Sequence, residues 1–209
     1  MEYVKGDIID LAFAGELAAV VHGCNCFNTM GAGLAAQIKK RCPEAYAADT
    51  AFVANYPEDV RWRMLGEHSE ATIPRGDGTT FQVINAYTQY KPGANFEYAA
   101  LDCVLSNGAL YGLGTSDLWH GKGRVGFPLI GCGIGGGDWG VVRRMLEETE
   151  GMWKSIYKQA EGFVVVEYEA PRRRIGRKCL RCEETMGERF FRDGSDVCQF
   201  CDIDRCADT

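Results

Sequence analysis

Two hydrophobic periods alternate along the chain. Ala18-Ala-Val-Val-His22 is an apolar run with Gly15 before it and Gly23 after it, which predicts a short buried strand. A glycine-bearing loop, 24–33, follows. Leu34, Ala35, Ile38 and Cys42 then recur at helical spacing, and Pro43 suits the first position of a second helix running through Tyr46, Phe52 and Val53. Residues 79–87 are rich in β-formers and lead to Pro92-Gly93, the pattern of a strand. Residues 96–110 predict a helix with Leu101, Val104 and Leu105 inward. Residues 124–130 predict a strand that runs into Gly131-Cys-Gly-Ile-Gly-Gly-Gly137, with Asp138 as N-cap of the next helix. That helix puts Val142, Met145, Leu146, Thr149, Trp153 and Ile156 on one face. Phe163-Val-Val-Val-Glu-Tyr168 lacks alternation, which suits a strand buried on both sides. The alternation of strands and helices predicts an α/β layered domain. It stops at Ala170-Pro171, so the chain divides into a body, 1–170, and a tail, 171–209.

Composition narrows the class. A chain of 209 residues suggests one domain plus something small, at about 150 residues per domain. Its 46% apolar and 25% charged residues exclude collagen-like, fully disordered and coiled-coil chains. No apolar run approaches the ~20 residues that span a bilayer, and Met-Glu-Tyr-Val-Lys lacks the features of a signal peptide. A soluble cytoplasmic protein with no membrane partner is expected.

The net charge of −6 is uneven: residues 1–170 carry 14 basic and 21 acidic groups, residues 171–209 carry 9 and 8. An acidic body argues against broad nonspecific DNA binding, which needs Lys and Arg on phosphates. An anion bound by this body is expected to meet main-chain N–H groups. Two segments have the required layout of strand, glycine-rich turn and helix start: 130–140 and, less plainly, 24–34. Together they suggest a ligand with phosphate and ribose portions. Gly131, Gly133 and Gly136 also fit G-x-G-x-x-G, but only one strand remains after them, which leaves no room for a Rossmann sheet.

Five of the ten cysteines crowd into the last 31 residues. Cys179-Leu-Arg-Cys182 and Cys198-Gln-Phe-Cys201, fifteen residues apart, have the spacing of a zinc site. Four thiolates make a closed, structural zinc site, and Asp193-Gly194 suits a hairpin turn between the pairs. Cys206 is left over as a free thiol or substitute ligand; a redox-active or disulfide-linked tail is the alternative. The basic run from Arg172 to Arg181 suits nucleic acid or an acidic protein as partner, or a solvated linker.

Over residues 1–169 the chain resembles the macro domain family, which binds ADP-ribose. The resemblance is carried by Val4-Lys-Gly-Asp-Ile8, by Val20-Val-His-Gly-Cys-Asn25 with Gly31-Ala-Gly33, and by Pro128-Leu-Ile-Gly-Cys-Gly-Ile-Gly-Gly-Gly-Asp-Trp139. It implies a three-layer α/β/α fold with a mixed central sheet for the body, to which the cysteine spacing adds a small zinc-ribbon-like tail. It also implies that Asp7 accepts from the adenine amino group, with Ile8 beside it, and that Asn25, Gly31 and Gly33 meet the distal ribose. Gly131, Gly133, Ile134, Gly135 and Gly136 would cradle the diphosphate, and Tyr168 would stack on adenine. Each residue has a plainer alternative: a helix cap for Asp7, a self-bonded turn for Asn25, edge packing for Tyr168.

His22-Gly-Cys-Asn25 resembles the branch that includes ADP-ribose-1″-phosphate phosphatases. There His22 would exchange a proton near neutral pH beside Asn25; its alternative is a buried histidine with a satisfied ring. A related branch, which removes ADP-ribose from proteins or nucleic acid, uses a lysine where this chain has Gln89, with Lys91 two residues on. Its glycine-loop acid is matched by Gly135, with Asp138 nearby. The expected function is therefore ADP-ribose binding with hydrolysis of ADP-ribose-1″-phosphate. The alternatives are a non-catalytic reader, an ADP-ribosyl hydrolase, or a scaffold whose working part is the zinc tail.

Overall fold

Neighbouring residues on the strands bury toward opposite sides of one sheet, and each side has its own core. Ala19 and Val21 join Ile84, Phe127, Phe163 and Val165 on one face; Val20 joins Val83, Phe81, Val164 and Val166 on the other. The computed structural model describes residues 1–107, 123–157, 160–169, 177–178 and 185–186. The chain forms two units, Met1–Tyr168 and Glu169–Thr209.

The first unit runs β1 (Glu2–Gly6), α1 (Ile8–Phe13), β2 (Ala19–Asn25), α2 (Gly33–Arg41), α3 (Pro43–Ala54), a 3-10 helix (Glu58–Met64), β3 (His68–Pro74), β4 (Thr80–Gln89), α4 (Tyr98–Asn107), β5 (Gly123–Phe127), α5 (Trp139–Ile156) and β6 (Ala160–Tyr168). The six strands form one mixed sheet in the order β1-β6-β5-β2-β4-β3. Only β3 is antiparallel to its neighbour. Helices α4 and α5 cover the first face through Leu101, Val104, Val142, Leu146 and Trp153. Helices α1, α2 and α3 cover the other through Ile8, Ile9, Ile38 and Ala45. The result is a three-layer α/β/α sandwich.

Several expectations shift at the element ends. The strand expected over 124–130 stops at Phe127, because Pro128 has no N–H to continue the ladder. Phe96 is not helical. It bridges to Gln89 and sits in the core beneath the glycine loop. Ile156, expected on the inner face of α5, is the last helical residue and is half exposed. Pattern alone did not predict β1, α1, the 3-10 helix or β3.

In the second unit, β7 (Arg177–Lys178) pairs antiparallel with β8 (Thr185–Met186). The six residues between them carry Cys179 and Cys182. The expected zinc ligands Cys179, Cys182, Cys198 and Cys201, and Cys206, lie outside the described residues. Among the described residues no group of three or more His, Cys, Asp or Glu could hold a metal, and no helix is long and apolar enough to cross a membrane.

Candidate functional site

Five strands (β1, β6, β5, β2, β4) run in one direction, so their C-terminal ends share one edge of the sheet. At β5–β2 the connections diverge. The loop after β2 leads to α2 on one face, and the loop after β5 leads to α5 on the other. Loops that part in this way leave a crevice at the strand ends. Here it is a cleft of about 460 Å³ lined by residues of both loops, of β2 and of α3, a size that suits a small-molecule site.

Main-chain donors line both sides. Helix α2 starts without a side-chain cap, since its N-cap is Ala32, and Gly33, Leu34 and Ala35 lie on the cleft wall. The first N–H groups of a helix have no partner within it, so this end presents free donors and the positive end of the helix dipole. Across the cleft, the N–H groups of Gly133, Ile134 and Gly135 donate to no acceptor among the described residues. The loop is held instead by Cys132 N–H to Leu129 O at 3.0 Å and Gly137 N–H to Gly131 O at 2.9 Å. Glycine is required at Gly131, where φ is +75° and a Cβ would lie 2.2 Å from the Phe96 ring. A Cβ on Gly135 would lie 2.6 Å from the Gly131 carbonyl oxygen and break the same turn. Two sets of unpartnered amides around one cavity can hold an anion without a basic side chain.

The polar wall is less open. His22 is 1% exposed, and its Nε2 lies 2.7 Å from Asn85 Oδ1. Asn85 Nδ2 donates to Ala45 O at 2.9 Å and Ser69 Oγ at 3.0 Å, so Oδ1 accepts and His22 carries its proton on Nε2. Burial lowers the His22 pKa to about 4, with the Asn85 hydrogen bond opposing in part. At pH 7 it is therefore a neutral imidazole, not the group titrating near neutrality that was expected. Asn25 lines the cleft while closing its own turn: Oδ1 accepts from Phe27 N–H at 3.0 Å, and Nδ2 donates to Thr29 Oγ1 at 2.7 Å. Burial holds the thiols of Cys24 and Cys26 protonated, the latter raised to about 12.

The cleft brings together His22, Asn25, Gly31, Gly33, Gly131, Gly133, Ile134 and Gly135. Asp7, Ile8, Gly136 and Tyr168 are not among its lining residues. Asp7 caps α1, accepting from Ile9 and Asp10 N–H at 2.8 and 3.1 Å, and pairs with Arg41. Ile8 is in the core. Tyr168 is exposed at the end of β6, level with Gly6 on β1, so it and Asp7 lie on the same sheet edge as the cleft, beyond β5. Gln89 lines the cleft and donates to Gly93 O at 2.7 Å, whereas Lys91 does not line it. Asp138 caps α5 through Val141 N–H.

Sequence reasoning missed Asp49. It follows Ala45 and precedes Val53 at four-residue spacing on the buried stripe of α3, and a lone acid on such a stripe is the signal that was available. Asp49 is 1% exposed and lines the cleft, and its Oδ1 accepts from Tyr87 Oη–H at 2.8 Å. Burial raises its pKa to about 6, the Tyr87 hydrogen bond opposing.

No protein-family model matches the chain. An uncharacterized 17.5 kDa protein from the tk–vs intergenic region of Enterobacteria phage T4 is 33% identical over 172 residues, 81% of this chain and 97% of that protein. Among solved structures, the macrodomain of Mycobacterium tuberculosis DarG aligns with a TM-score of 0.60 at 24% identity, covering 81% of this chain and 97% of its own. A Trypanosoma brucei macrodomain in complex with ADP-ribose aligns with a TM-score of 0.54 at 14% identity, over 79% and 62% of the two chains.

Proposed function

We propose that this chain, which belongs to the family of the phage T4 17.5 kDa protein and has the macrodomain fold, binds ADP-ribose in the cleft between the β2 and β5 loops. One observation carries the reading: the uncapped start of α2 and the unpartnered amides of Gly133, Ile134 and Gly135 border the same cavity. They supply donors for a diphosphate in a cleft whose lining carries no Lys or Arg. The complex of the Trypanosoma macrodomain with ADP-ribose supports the same ligand. In this pose Asn25, Gly31 and Gly33 meet the distal ribose, while Asp7, Ile8 and Tyr168 receive adenine at the β1–β6 end of the edge. Calorimetric titration of the full chain with ADP-ribose tests it; saturable one-to-one binding is the expected result, and no binding overturns it.

Hydrolysis at the distal ribose is the second reading, favoured by His22 and Asp49, two buried groups with shifted pKa values in one cleft wall. His22 keeps an unprotonated Nδ1, and Asn25 orients the sugar. Phosphate release from ADP-ribose-1″-phosphate, run beside ADP-ribosylated protein and nucleic acid, separates a phosphatase, an ADP-ribosyl hydrolase and a reader without turnover.

The tail holds one structural zinc on Cys179, Cys182, Cys198 and Cys201 in this proposal. The β7–β8 ladder supports it by bracketing the first Cys-x-x-Cys within one short connection. Its basic flank suits nucleic acid or an acidic protein surface.

A further inference from the structure

Asp49 Oδ2 is buried and has no hydrogen-bond partner, although Asp49 is one of the residues that line the cleft. A buried carboxylate oxygen without a donor is costly. Its companion, Oδ1, is held at the end of a chain of hydrogen bonds with a single direction. His22 Nε2–H donates to Asn85 Oδ1, and Asn85 Nδ2–H donates to Ser69 Oγ. The Ser69 hydroxyl lies 3.1 Å from Tyr87 Oη, and Tyr87 Oη–H donates to Asp49 Oδ1. Because Tyr87 spends its proton on the carboxylate, Ser69 donates to Tyr87. Every donor in the chain points toward Asp49. The Asn85 amide in the middle passes orientation and not protons, so the chain sets the His22 tautomer and the carboxyl plane together.

We propose that Asp49 Oδ2 is a ligand contact: it accepts a hydrogen bond from a hydroxyl of the sugar bound at the β2–α3 wall of the cleft. The proposal rests on the ADP-ribose reading and adds a residue to it. A neutral donor suits the oxygen because an anion there would meet the carboxylate's own charge, whereas the amides of the β5 loop and the α2 start suit the diphosphate. The titratable groups of this wall beside Asp49 are the Tyr87 hydroxyl from β4, the Cys24 and Cys26 thiols from β2 and the turn after it, and His22 from β2 at the far end of the hydrogen-bond chain. Burial keeps the first three protonated and His22, with its pKa at about 4, mostly neutral down to pH 5, so the main charge change in this wall between pH 5 and 7 belongs to Asp49.

The experiment compares wild type and Asp49→Asn, full chain, by calorimetry with ADP-ribose and with ADP, which lacks the distal ribose. Asparagine keeps an oxygen for Tyr87 and turns an N–H toward the ligand in place of the acceptor. ADP-ribose should bind the variant about ten- to hundredfold more weakly, the usual range for a hydrogen bond to a charged group, with ADP binding unchanged. A second measurement needs no variant: wild-type affinity for ADP-ribose should fall about tenfold between pH 7 and pH 5 as the carboxylate takes up a proton. Equal binding of ADP-ribose by both proteins, parallel losses for ADP-ribose and ADP, or a wild-type affinity flat with pH overturns the role of Asp49 alone. Failure of the wild type to bind either nucleotide at any pH overturns the ADP-ribose reading, and this proposal with it.

Discussion

His22 and Asp49 should tilt the stability of the protein in opposite directions as pH changes. The folded Asp49 has its pKa raised from 3.8 to about 6, so its contribution to stability is full below pH 3.8 and is lost as pH rises through 6. At about 1.36 kcal/mol per unit, the loss is about 3 kcal/mol. The folded His22 has its pKa lowered from 6.5 to about 4. The unfolded chain then takes up a proton below pH 6.5 that the native chain refuses, and about 3 kcal/mol is lost as pH falls from 6.5 to 4. His22 is sealed from solvent and keeps its full figure, whereas Asp49 borders the open cleft, where water screens it, so its figure is an upper value. In the wild type the slopes oppose each other, and single variants should expose them. Urea unfolding followed by tryptophan fluorescence from pH 4 to 7.5 measures this. Relative to wild type, Asp49→Asn should gain up to about 3 kcal/mol from the acid to the neutral end, whereas His22→Gln should gain about 3 kcal/mol in the opposite sense. The difference curves matter because all other titrating groups cancel in them. Flat difference curves, or two curves with the same sign, would refute the assignment of a proton-retaining Asp49 and a proton-refusing His22.

Three further outcomes are expected. Gly131→Ala should destabilise the first unit by about 2–5 kcal/mol, from the positive-φ cost and the collision with Phe96; Gly133→Ala, where a Cβ meets nothing within 4 Å, should leave stability unchanged and weaken ADP-ribose binding, and paired thermal melts and titrations check both. Cys103, which is exposed, should be alkylated by iodoacetamide in the native protein at pH 8 while Cys24, Cys26 and Cys42 stay protected until denaturant is added, as read by peptide mass spectrometry. Elemental analysis of the purified chain should give one zinc per molecule, and Cys198→Ser should reduce it well below one without changing ADP-ribose binding.

The features legible in the sequence were those with a local signal. Pro43 opens α3, Asp138 caps α5, and the unalternating Val164-Val-Val166 run is buried on both sides, each through a rule acting within a few residues. The glycine loops were legible for the same reason, since strand, turn and helix start follow one another in the chain. β3 was not legible, because an edge strand shows its partner only once β4 is beside it. Nor was the wall network, which joins residues 22, 49, 69, 85 and 87 from four elements and exists only after β2, β3, β4 and α3 have packed. His22 illustrates the limit: its type suggested titration near neutrality, and its surroundings remove it. Asp49 illustrates the reverse, an ordinary acid whose chemistry comes wholly from where α3 puts it.

The bare start of α2 has a consequence for motion. A helix whose N-cap residue is alanine has no side-chain acceptor for its first turn, so in the empty protein those amides rely on water. An anion arriving there would finish the helix as a cap does, and amide exchange over residues 33–35 should slow on occupancy more than at the capped start of α5. Occupancy of the cavity and completion of secondary structure would then be a single event, with the guest serving as the helix's missing residue.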